Sequence, residues 1–208
     1  MEQPERSEDS RQAVLDAVCR RLWDHDEAKI RIADVCHETG LSSSVIYNYF
    51  RSRQGLIDAA YLSIYRDITE GVVANTRLVA DEVTTTDEFI DNLRRMITDP
   101  FRRKEFESRR HMRLRITTAA ISRSSMQHEF AAIQHEFLGG LATLFAEMQN
   151  RGAAGTLLTP DQLAIMFEVC VLLRSFTDIA LEPLDDEEWL SMLATVLKSS
   201  AETPPTRT

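Results

Sequence analysis

Eight residues between positions 31 and 53 have types and spacing suited to gripping a polyanion: Arg31, Ser42, Ser43, Ser44, Tyr47, Asn48, Tyr49 and Arg53. The chemistry they offer is hydrogen bonding rather than covalent catalysis. Small hydroxyl groups at a helix N-terminus, beside free backbone N–H groups, let the chain approach a phosphate or a base edge closely. Asn48 can read adenine or hold a phosphate. Tyr47 and Tyr49 add phenol hydroxyls, while Arg51 and Arg53 place positive charge beside a backbone.

Two short helices must position these groups. Ile32 to Glu38 has helical period and is stopped by Gly40, where a turn often needs positive φ. Ser42 to about Tyr49 forms the second piece. Ile32, Val35, Leu41, Val45 and Ile46 are spaced to bury the faces that hold the pair together. Two helices joined by a glycine-containing turn are the helix-turn-helix pattern, whose second helix lies in the major groove of DNA.

The segment Ile32 to Ile57 resembles the DNA-binding domain of the tetracycline-repressor (TetR) family of bacterial transcriptional regulators. The resemblance rests on Gly40-Leu41-Ser42, on Tyr47-Asn48-Tyr49-Phe50 where the family has Y-x-[YH]-F, and on Arg53-Gln54 before Leu56-Ile57. With the preceding helix it covers about a quarter of the chain. It implies that Phe50 is core, that Tyr47 packs partly, that Tyr49 and Arg53 touch phosphates, and that Ser43, Ser44 and Asn48 read base edges. Three positions depart from the family pattern. Arg31 stands where a Thr or Ser caps the second helix; arginine keeps a phosphate contact but caps less well. Cys36 replaces an Ala, and His25-Asp26 replaces the Gly after the first helix.

Nearly every other segment has helical period: Arg11 to Trp23 with Ser10 as N-cap, a longer helix from Ser52-Arg53-Gln54, then Asp87–Thr98, Phe101–Ile121, Phe130–Met148, Leu163–Leu181 and Glu187–Leu197. The expected fold class is all-α, with about nine or ten helices. A three-helix helix-turn-helix domain over 10–53 follows a disordered lead-in at 1–9. A larger helical effector-binding and dimerisation domain occupies 54–199, and a flexible tail 200–208.

The motif Gln127-His128-Glu129-Phe130 returns as Gln134-His135-Glu136-Phe137. A seven-residue step keeps Phe130 and Phe137 on one face with Ile133, Leu141, Leu144 and Met148. With Phe167, Val171 and Phe176 of the next apolar helix, this face is the expected dimer interface, two helices pairing with their mates across a two-fold. Gly139-Gly140 would admit a partner's backbone. The alternative is that both helices form the core of one chain. Histidines seven apart lie about 10.5 Å apart along the axis, too far for one metal ion, and His111 with Glu107 reads as an intrahelical pair. No metal or other cofactor is expected.

From Phe101 to Ile116 the chain carries seven basic residues. They form either a solvated, paired face or a wall on which Arg113, with Arg109 or Arg110, meets an anionic or amphipathic effector. Glu168, Arg174 and Asp178 interrupt an otherwise apolar helix, and buried charge must be paired or bind something. Arg113, Glu168, Arg174 and Asp178 are therefore the candidate ligand-binding residues.

The formal net charge is −9, from 24 basic and 33 acidic residues. An acidic chain is not the default nucleic-acid binder. The charge is unevenly distributed, however: residues 1–10 sum to −3, residues 11–53 to +1 and residues 54–208 to −7. The segment that resembles a DNA reader is the one that is not negative, and modest non-specific affinity is expected of it. Cys19, Cys36 and Cys170 form no CxxC or Cys/His cluster, which argues against a disulfide framework or zinc site. No apolar run approaches the ~18–20 residues of a membrane helix, and the polar N-terminus is no signal peptide. A cytoplasmic location without membrane association is expected. There is no nucleophile elbow, HExxH, phosphate loop or paired-carboxylate motif, so no enzyme is expected. The expectation is a ligand-responsive regulator, a homodimeric repressor that binds a palindromic double-stranded operator and is released by a small-molecule effector. The alternative is a small all-α metabolite-binding protein or enzyme without DNA binding.

Overall fold

The computed structural model describes residues 3–198. Among them there is no strand, and nine α-helices follow one another: α1 (Gln3–Asp24), α2 (Ile32–Thr39), α3 (Ser43–Phe50), α4 (Arg53–Ala80), α5 (Thr86–Ile97), α6 (Pro100–Ser122), α7 (Ser124–Asn150), α8 (Pro160–Thr177) and α9 (Asp186–Lys198), with a single 3-10 turn at Glu27–Lys29. The fold is all-α. The tail expected at 200–208 lies outside the described residues, as do Met1 and Glu2 of the lead-in. The helix expected to start at the Ser10 cap starts at Gln3, and Glu8 and Arg11 pair at i,i+3 within it.

The chain divides into two compact units. The first comprises the residues up to Asp67 together with Arg115–Ala131, and the second Ile68–Leu114 with the residues from Ala132 onward. Helices α4, α6 and α7 therefore contribute to both. In the first unit, Val14, Val18, Leu22, Val35, Ile46 and Leu56 are completely buried, the apolar positions expected from helical period. The Cys19 thiol donates to the Ala60 carbonyl, and burial pushes its pKa up to about 12.

In the second unit α5, α7, α8 and α9 surround a core built on Phe89, Leu141, Phe145, Leu163, Leu190 and Leu193. Each fully buried side chain of this kind stabilises the fold by roughly 1.5–3 kcal/mol. Two capping boxes set helix starts. Thr85 accepts from the Glu88 N–H at α5, and Thr159 from the Gln162 N–H at α8, where Pro160 supplies a first residue that needs no hydrogen bond. Sequence spacing placed the α8 start at Leu163; the cap moves it three residues earlier, and the helix stops at Thr177 rather than Leu181. Gly140 packs closely, since a Cβ there would meet the Val73 methyls of α4 at 3.3 Å. Gly139 beside it is exposed and a Cβ there would meet nothing within 4 Å.

Candidate nucleic-acid interface and effector cavity

Helix α2 ends at Gly40, whose φ of 69° lets its N–H reach the Cys36 carbonyl. A left-handed residue at this place is why glycine is there. Helix α3 then buries Ile46 and Phe50. With those two turned inward, Ser43, Ser44, Tyr47 and Asn48 face outward and are exposed. Ser42 occupies the N-cap but makes no side-chain cap; its hydroxyl lies 2.8 Å from that of Ser44. The N–H groups of Ser43 and Ser44 are thus without a side-chain cap and open to an external acceptor.

The end of α3 is held tightly. Arg51 is a non-glycine residue at φ 63°, a strained conformation that persists only when its surroundings impose it. The surroundings are visible: the Ser52 hydroxyl accepts from the Gly55 N–H, and a Cβ on Gly55 would lie 2.3 Å from the Phe50 carbonyl oxygen. Arg11 covers the Phe50 ring at 5.3 Å, so Phe50 is the anchor that the resemblance implies.

The eight expected contact residues separate into two groups. Arg31, Ser42, Ser43, Ser44, Tyr47 and Asn48 are exposed, and Arg31 makes no side-chain cap on α2. Tyr49 is half-buried with its hydroxyl 3.3 Å from that of Ser7 on α1. Arg53 donates through Nε to the Ile30 carbonyl at 2.8 Å and through Nη2 to the Glu27 carbonyl. Arg53, which the resemblance places at a phosphate, spends these donors on the 3-10 turn, which its guanidinium fastens to the start of α4. Arg51, the other basic residue of this turn, is exposed at the end of α3.

Behind this surface lies a polar brace. Arg123 donates to both carboxylate oxygens of Glu27, at 2.6 and 2.8 Å, and to the buried Asp58 at 3.0 Å. Asp58 also accepts from Ser125 and Gln54. Arg115 of α6 donates to the Leu22 carbonyl of α1. Phe130, expected at the dimer interface, is half-buried and stacks on Tyr65 with ring centroids 4.5 Å apart.

The second unit contains a cavity of about 300 Å³. Three of the four expected ligand residues, Arg113, Arg174 and Asp178, line it; Glu168 does not, but pairs with Arg113 from behind the wall. Arg113 is almost completely buried and covers the Phe137 ring at 4.7 Å. Burial pushes the Glu168 carboxyl above its ordinary pKa, with Arg113 pulling the other way, and Glu168 Oε2 has no hydrogen-bond partner. Arg174 pairs with Asp186 and lies over Trp189. Its pKa is lowered by burial first and then by the positive charges of Arg110 and Arg103, which also line the cavity. Asp178 accepts two bonds from Arg110, at 2.8 and 3.2 Å, and lies 3.3 Å from His111. The intrahelical pairing expected between His111 and Glu107 gives way to this contact. Sequence spacing missed Arg103, Phe106, Asp186 and Trp189, which come together only through folding. Among the described residues no group of three or more His, Cys, Asp or Glu could hold a metal ion, and no helix is long and apolar enough to cross a membrane.

The expected dimer residues are also redistributed. Phe137, Leu141, Leu144, Met148 and Phe167 are at most 3% exposed and fill the core of the second unit. Val171 is half-buried and lines the cavity. These seven-residue repeats face inward because the apolar stripe of α7 is needed by α4, α5 and α8 of the same chain. Phe176 alone remains exposed, at 55%, and it extends a stripe on α8 formed by Ile165, Val169 and Leu173, 50%, 48% and 40% exposed.

No protein-family model matches the chain. The HTH-type transcriptional regulator BetI of Agrobacterium fabrum is 31% identical over 64 residues, so the match spans about a third, 31%, of each protein. Solved structures are similar over nearly the whole length. One from Mesorhizobium loti MAFF303099, described as a TetR-family transcriptional regulator, has a TM-score of 0.68 at 15% identity over 92% of this chain and 95% of its own. A second, so described, from Rhodococcus sp. has 0.63 at 20% over 91% and 98%. The multidrug binding protein EbrR, complexed with imidazole, has 0.60 at 18% over 92% and 97%.

Proposed function

We infer that this chain, which has the fold of the TetR-family transcriptional regulators, is itself a DNA-binding transcriptional regulator that responds to a small molecule and acts as a repressor. The observation that carries this reading is the outward face of α3. Ser43, Ser44, Tyr47 and Asn48 are presented to solvent by the burial of Ile46 and Phe50, and the α3 N-terminus is left without a side-chain cap. Hydroxyl and amide groups so placed can reach base edges and phosphates in a major groove.

A homodimer places two such helices in successive half-sites of a palindromic operator, about 34–36 Å apart. The α8 stripe Ile165, Val169, Leu173 and Phe176 is the surface we assign to pairing. Four large apolar side chains along one helix face are more than a monomer ordinarily leaves in water. The cavity of the second unit receives the effector. An effector that binds best when α4 has shifted lowers operator affinity through that difference alone. Its relatives are regulators rather than enzymes, and the regulator works in the cytoplasm, where its DNA is, without a catalytic step.

The test is a gel-shift on the DNA upstream of the protein's own reading frame, with the wild type, Asn48→Ala and Val169→Asp. A shift that Asn48→Ala weakens by about ten-fold or more and that Val169→Asp removes while halving the mass in solution supports the reading. Absence of a shift on any upstream fragment, with a ligand still bound in the cavity, would favour a metabolite-binding protein without DNA.

A further inference from the structure

The lining of the cavity in the second unit is of two kinds. Val72, Met96, Ile97, Phe106, Val171 and Leu184 give it apolar surface. Its charged lining is unbalanced: Arg103, Arg109, Arg110, Arg113 and Arg174 stand against Glu107 and Asp178. The carboxylates that balance the remainder, Glu105, Glu168 and Asp186, pair with Arg109, Arg113 and Arg174 from outside the lining. The region is thus neutral as a whole, yet the charges on its lining are mostly guanidinium.

Three of these arginines share one neighbourhood. Arg103 and Arg174 both approach Asp186, Arg110 holds Asp178, and Arg174 senses both other guanidinium charges. A carboxylate occupies at most two of a guanidinium's five donors in its bidentate fork, so these pairings leave donors for a further acceptor. Arg174 is nine-tenths buried and its Nε has no hydrogen-bond partner, a state that costs free energy until an acceptor arrives.

We propose that the cavity binds an amphiphilic monocarboxylate, its head received by Arg103, Arg110 and Arg174 and its apolar body by the apolar lining, Met96, Phe106 and Val171 among it. This rests on the reading of the cavity as the effector site. A single negative charge matches the site, because Arg103, Arg110 and Arg174 share two carboxylates, Asp178 and Asp186, which leaves one positive charge for a head group. The volume, about 300 Å³, equals about ten waters, which suits a medium-chain acyl or compact aromatic body.

Calorimetric titration of the full-length protein with decanoate, decanol, decylamine and decyl phosphate tests the head group. Decanoate is expected to bind at least ten-fold more tightly than decanol or decylamine and more tightly than decyl phosphate. Arg103→Gln and Arg110→Gln, the first at an exposed and the second at a half-buried position, are expected to weaken decanoate at least ten-fold and to leave decanol unchanged. Equal or tighter binding of decylamine or decyl phosphate, no binding of any probe, or decanoate affinity indifferent to both variants overturns the proposal. The gel-shift with added decanoate is a separate readout. Tight binding without loss of the shift leaves the ligand chemistry standing and removes the effector reading.

Discussion

Arg123 and Arg113 each hold a carboxylate, and the contrast between their surroundings separates the two units of the protein. Around Arg123 the partners are saturated: Glu27 offers both oxygens, and Asp58 accepts from Arg123, Ser125 and Gln54. Around Arg113 they are not, since Glu168 keeps one buried oxygen without a partner and its pKa is raised by burial. Polar groups that are fully satisfied rigidify, whereas partly satisfied ones remain sensitive to whatever enters. The Arg123 brace is therefore built to hold a shape, and the unit carrying the cavity retains unspent hydrogen-bonding capacity, at Glu168 behind the lining and at Arg174 Nε on a lining residue.

The largest effect expected from breaking this contrast is at Arg113. Arg113→Leu leaves Glu168 buried without its counter-charge and should destabilise the fold by about 3–5 kcal/mol at pH 8. The pH dependence follows from the raised folded-state pKa of Glu168. Such a carboxyl stabilises the folded state most when protonated, below its unfolded value, and stability is lost as pH rises through the folded value. The deficit of the variant should therefore shrink at pH 5, as urea midpoints at the two pH values would reveal; a constant deficit contradicts the account.

Next in size is Arg53→Ala, which removes charged donors from two backbone carbonyls and should cost about 2 kcal/mol in thermal unfolding. Arg123→Ala should cost about 1–2 kcal/mol, less than Arg113, because its pairs are partly solvated. If Arg123→Ala proves the more damaging of the two arginine variants, the contrast between the units is reversed. The smallest effect is at Arg31. Arg31→Ala should leave stability within about 0.5 kcal/mol but lower the salt slope of operator binding by about one. Arg53→Ala should leave that slope unchanged, which separates a phosphate contact from a brace although both arginines border the same motif.

Much of the architecture was legible along the chain. Helical period located each of the nine helices, because the apolar spacing that buries one helix face is a local property. Gly40, Ser42 and Tyr47–Phe50 likewise located the helix-turn-helix, whose inward and outward faces follow from spacing over only eight residues of α3. Helix ends were less legible. The α8 start depends on a capping box at Thr159, outside the apolar repeat, and α1 continues through a polar segment with no repeat to mark it.

What no reading along the chain could decide is the destination of each exposed or buried group. An apolar stripe records that a helix face must be covered, not by what: Phe137, Leu141 and Leu144 are covered by the chain's own helices, while Ile165, Val169 and Phe176 are left open. Arginine is equally ambiguous, because its long side chain reaches groups far away in sequence. Arg31 and Arg53 read alike until folding carries the Ile30 carbonyl to Arg53. The cationic wall of the cavity likewise joins Arg103 and Arg110 of α6 to Arg174 of α8, more than sixty residues away. The residue types and their local period belong to the sequence. Which charge finds a partner, and which is left for a ligand, depends on distances that only tertiary packing sets.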